Sequence, residues 1–171
     1  MSISIIVLKK IGGFSYEKTL HSVQQAAALA NMYCLHLETL HWVDPISQEE
    51  TEYLEGVLSE VSAEILKANF KKGIHTRSCG FTIQKPTAES YDSFSWLVHE
   101  KDYFWALDLQ YLEGDFAFAF QFLAQYFKLE ENIHDYLWVD DTDWVYSADE
   151  MIWLSSQAYR PEWTYKKLTS G

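Results

Sequence analysis

Three aspartates stand between two tryptophans in the stretch YLWVDDTDWVY, Tyr136 to Tyr146 of this 171-residue chain. Carboxylates this close together can hold a hard cation, act as an acid–base pair with separated pKa values, or present negative charge to a cationic partner. A calcium loop is excluded. Counted from Asp141, its sixth position would be Tyr146 and its twelfth Ile152, where that chemistry needs glycine and glutamate. A hydrolytic enzyme that holds Mg²⁺ on Asp140, Asp141 and Asp143 remains an alternative. The third use, contact with a partner, assigns the surface to Asp135, Tyr136, Trp138, Asp140, Asp141, Asp143 and Trp144. Tryptophan and tyrosine serve as interface anchors, and carboxylates beside them complement a basic face.

Other constellations are weaker. His36 and His41 flank Glu38 in HLETLH, but zinc-protease chemistry needs histidines four apart on one helical face. Five apart, they diverge by about 140° on a helix. On a strand they take opposite faces. Cys34, His36, His75 and Cys79 are the right types for tetrahedral zinc, but their spacing matches no usual finger or ribbon. Cys79 beside Gly80, with His75 near, could form a thiol nucleophile only if distant segments completed the site. No glycine-rich phosphate loop or G-x-S-x-G elbow occurs. The sequence implies no metal and no cofactor.

Elements must position these residues. Ile3 to Leu8 reads as a buried strand ended by Gly12-Gly13, and Ser15 caps a helix carrying Leu20, Val23, Ala27 and Ala30. Tyr33 to Val43 reads as a second strand. Ser47 and Glu50 form a capping box for a long helix with Leu54, Val57, Leu58, Val61, Ile65 and Leu66 in its stripe and Lys71, Lys72 and Gly73 at its end. Phe81 to Gln84 is a short strand. Asp102 to Leu112 alternates as a half-buried strand, with Tyr103, Trp105, Leu107, Leu109 and Tyr111 on one face. A helix over 115–130 follows, its stripe running through Phe116, Phe120, Leu123 and Phe127. Ser147 and Glu150 make a second capping box.

The prediction is an α+β protein, a mixed or antiparallel sheet with packed helices, forming one globular domain over 1–171. Its order suggests duplicated β-α-β-α halves, 1–86 and 87–171, in a ferredoxin-like arrangement.

Charge narrows the partner. Residues 89–150 hold 15 of the 25 acids but only Lys101 and Lys128 as bases, a net of −13; the remainder carries +1. The same segment holds 17 of the 28 aromatic residues. Such a surface repels phosphate, so neither nucleic acid nor an anionic membrane is the expected partner. The N-terminal apolar run precedes its lysines, the reverse of a signal peptide, and two isolated cysteines make no disulfide framework, so a cytoplasmic location is expected. The functional expectation is a protein-binding module, an immunity or inhibitor protein that neutralises a basic partner such as a toxin. The alternatives are the Mg²⁺ hydrolase above and a homo-oligomeric structural protein; a homodimer is compatible with the composition.

Overall fold

The computed structural model describes residues 3–87, 90, 93–100, 102–110 and 112–170. The elements run β1 (Ile5–Lys10), α1 (Tyr16–Leu29), β2 (Tyr33–Val43), β3 (Glu50–Ser59), α2 (Ala63–Lys72), β4 (Ser78–Gln84), α3 (Ser95–Val98), β5 (Tyr103–Gln110), α4 (Phe116–Tyr126), β6 (Tyr136–Val139), β7 (Val145–Ser147) and α5 (Ala148–Ser155). Single 3₁₀ turns lie at Glu130–Asn132 and Pro161–Thr164. No helix among the described residues is long and apolar enough to cross a membrane.

The seven strands among the described residues join one antiparallel sheet in the order β2-β3-β4-β5-β1-β6-β7. The expected α+β class is therefore observed. Element order β-α-β-β-α does occur twice, from β1 to α2 and from β5 to α5. Two separate ferredoxin-like halves are not seen, because β1 sits between β5 and β6 and ties both sets into one sheet. Helix α1 carries the chain from β1 across three strands to β2, and α4 carries it from β5 past β1 to β6. The two helices pack on each other over one sheet face.

That face holds the main core, where Ile5, Val7, Phe81 and Leu107 meet Val23, Phe122, Leu123 and Trp163. Helix α4 buries Phe118, Ala119, Phe122, Leu123 and Tyr126. These repeat at i, i+4 and i+8, so the helical reading of this phenylalanine-rich run holds. The buried stripe is rotated from the expected one: Phe120 is only partly buried, packing against Tyr159 and Trp163. The opposite face has a smaller core of Ile6, Leu8, Tyr103 and Trp138 under Leu97 and Val98. That cover buries both faces of β5, which is not the half-buried strand its alternation suggested. Tyr111 lies outside the described residues.

The largest correction concerns residues 47–72. Glu50–Ser59 is a strand, and only Ala63–Lys72 is helix, capped by Ser62 and ended by Gly73 at φ 68°. Ser47 opens no helix; it lies in the hairpin loop, where Asp44 accepts hydrogen bonds from the backbone N–H groups of Ile46 and Ser47. In β3, Leu54, Gly56 and Leu58 are buried in alternation, a period of two. The Phe81 ring and Leu37 occupy the space that a side chain at position 56 would need. By contrast, the Ser147–Glu150 capping box on α5 forms with both reciprocal bonds.

Candidate partner-binding site

The chain reverses between β6 and β7 at the aspartates. Trp138 pairs with Val145 and Leu137 with Tyr146, so the strands do not run straight through. Thr142 builds the turn: its N–H and hydroxyl both donate to the Val139 carbonyl, at 3.2 and 2.8 Å, and its own carbonyl accepts from Trp138 Nε1 at 2.9 Å. Asp141 takes a left-handed backbone at φ 71°, a conformation that aspartate tolerates because its short side chain bonds locally. Asp140 Oδ1 accepts from the Asp141 N–H at 3.0 Å, and the Asp140 N–H ties the turn to the Ser4 carbonyl.

An open depression of about 650 Å³ lies at this tip. Asp140, Asp141 and Asp143 line it together with Trp96, Trp138, Trp144 and Tyr165. Trp96 is 56% exposed and Tyr165 75%, whereas Trp138 is buried, edge-on to Phe94, Trp96 and Trp105. The result is a fixed aromatic base with two free aromatic faces beside three acids. Among the described residues, no ion pair involves Asp140, Asp141 or Asp143. A cationic side chain placed here could meet carboxylates and an aromatic face at once.

Two residues expected on this surface lie elsewhere. Asp135 is buried and bonded to Lys9 Nζ at 2.7 Å and to the Tyr126 hydroxyl at 2.8 Å. Burial raises its pKa, and Lys9 offsets part of that rise. Tyr136 packs edge-on against Tyr103 at 5.3 Å, at the far end of β6 from the turn. The structure adds Trp96 and Tyr165, which come from segments distant in sequence, with no local pattern to announce them.

Behind the tip, Asp108 on β5 is 4% exposed. It sits in register with Ile6 on one side and Thr82 on the other. Gln110 Nε2 donates to its Oδ2 at 2.8 Å, and among the described residues Oδ1 accepts no hydrogen bond of good geometry. Burial lifts its pKa to about 6, Asp140 adds to the rise, and Gln110, Ser4 and Trp105 oppose it.

The four-residue Cys/His group is not assembled. Among the described residues, no group of three or more His, Cys, Asp or Glu side chains is placed to hold a metal ion. Cys34 and Cys79 lie on either side of β3, each in register with Leu58. Burial pushes their thiols up to about 11 and about 12, the opposite direction from an activated nucleophile. No protein-family model matches the chain, and comparison with curated proteins and with solved structures finds no match for it either.

Proposed function

We propose that this protein is a protein-binding module whose β6–β7 end engages a basic partner. The observation that supports this reading is the concentration at one tip of three unpaired aspartates with the exposed rings of Trp96 and Tyr165. Like charges held this close destabilise a free protein, and a cationic partner relieves that repulsion. The turn's internal hydrogen bonds hold the acids in place before contact, which lowers the ordering cost of binding. An immunity or inhibitor protein that neutralises a basic toxin is the specific form of this function that we favour. Such a partner would be steered by the acids and anchored by the rings.

The test is capture of the partner from the native host at low salt, followed by binding kinetics. Trp96→Ala is expected to act mainly on dissociation, raising its rate by about 30-fold. Capture of acidic proteins only, or unchanged dissociation in Trp96→Ala, would contradict the proposal.

A further inference from the structure

A second exposed region lies away from the hairpin tip, between α2 and the sheet. Helix α2 has no fully buried residue. A groove of about 550 Å³ runs beside it, walled by Val57, Leu66, Phe70 and Ile74. Gly80 deepens its floor by adding no side chain opposite Val57. Phe70 stands at the wall with 86% of its surface exposed, and Ile74 follows at 52%. An exposed phenylalanine beside an apolar groove is a knob next to a hole on a single patch. A two-fold arrangement needs that combination, because each copy must offer both halves of the contact.

The charges fit the same arrangement. Lys67, Lys71 and Lys72 are exposed on α2, while Glu55 and Glu113 line the groove. Among the described residues none of these five is in an ion pair; Arg77, which also lines the groove, is held by Asp115 at 2.7 Å. A strongly basic partner would meet three free lysines here, so the occupant suited to the hairpin tip is disfavoured. A surface carrying both signs around an apolar knob and hole complements itself.

We propose that α2 and its groove form an isologous interface with a second copy of this chain. Phe70 of each copy enters the groove of the other, and the α2 lysines of each meet Glu55 and Glu113 across the two-fold axis. This goes beyond the partner-binding reading and uses none of its residues.

Sedimentation equilibrium of the full chain over about a hundredfold range of concentration is expected to show monomer and dimer exchanging, with nothing larger, since a two-fold contact closes on itself. Phe70→Glu is expected to weaken the dimer by about 30-fold or more while leaving the far-ultraviolet circular dichroism unchanged, because the ring is exposed in the monomer. Charge reversal gives an independent measurement. One chain carries Lys67→Glu with Lys71→Glu, and another carries Glu55→Lys with Glu113→Lys. Each alone places like charges across the axis and is expected to be monomeric, whereas their mixture restores opposite charges on both sides and is expected to form the heterodimer. A wild-type chain that stays monomeric throughout, a dimer indifferent to Phe70→Glu, or a mixture that fails to associate would each overturn the proposal.

Discussion

The hairpin tip and the α2 groove both expose aromatic or apolar side chains, and they differ in how charge is placed around them. At the tip the lining charges are all of one sign, and Trp96 is braced by Trp138, which Trp105 packs against in turn. At the groove, Glu55 and Glu113 line the cleft, Lys67, Lys71 and Lys72 are exposed on the adjoining α2, and Phe70 projects beside them. A single-sign surface repels its own copy and attracts an opposite partner over distances set by screening. A mixed-sign surface gains no long-range steering and instead selects by short-range matching. The contrast teaches that the net charge of −12 does not describe either surface. On the two proposals above, the single-sign tip suits a foreign basic partner and the mixed-sign groove a second copy of the chain.

The largest expected effect comes from removing what holds the tip rigid. Trp138→Ala opens a cavity among Phe94, Trp96 and Trp105 and is expected to cost about 3–5 kcal/mol. Urea denaturation reads this directly. Dimer formation through α2 should survive under conditions where the variant is folded, while capture of the basic partner should not. A wild-type unfolding midpoint would show that the aromatic base is not structural.

Next comes Lys9→Met. It strips the cation from buried Asp135 and is expected to destabilise by about 3 kcal/mol, the cost of a buried charge left unpaired. Association with the partner should be unchanged, which would separate this acid from the three at the tip. A slower association with intact folding would return Asp135 to the binding surface.

How far sequence alone reached is clearest at four places. The bounds of β2 and the Ser147–Glu150 cap were legible because each rests on local chemistry, a β-rich run and a reciprocal hydrogen-bond pair. Residues 50–59 were not, since Leu54, Val57, Leu58 and Val61 satisfy the helical period while Leu54, Gly56 and Leu58 satisfy the strand period. Pairing on both sides with β2 and β4 decided between them, and that is a tertiary fact. At the site, the aspartates and their flanking tryptophans were visible in one stretch. Trp96 and Tyr165 reach it only through the fold, and Asp135 leaves it because Lys9, distant in sequence, lies beneath it.

A smaller effect concerns Asp108. Its carboxyl titrates at about 6 in the fold against an ordinary value of 3.8, so the folded state holds its proton more tightly than the unfolded chain. Stability therefore falls as pH rises from about 4 through about 6, and the full cost is present above that range. Asp108→Asn is expected to raise stability at pH 7 by about 1–3 kcal/mol and to change it much less at pH 4. Asp140→Asn should narrow that pH dependence, because its charge adds to the shift. A stability profile flat between pH 4 and pH 7 in the wild-type chain would show that Asp108 is not desolvated as described.

The measurement that bears most directly on the tip is the salt dependence of association with the captured partner, compared between the wild-type chain and the combined Asp140→Asn, Asp141→Asn, Asp143→Asn variant. The variant should fold as well as the wild type or slightly better, since it relieves repulsion and opens no cavity. Its association should be slower by roughly 10-fold or more at low salt, and the gap should close as salt screens the steering field. Equal association rates at every salt concentration would contradict the account and leave these aspartates a solvated turn.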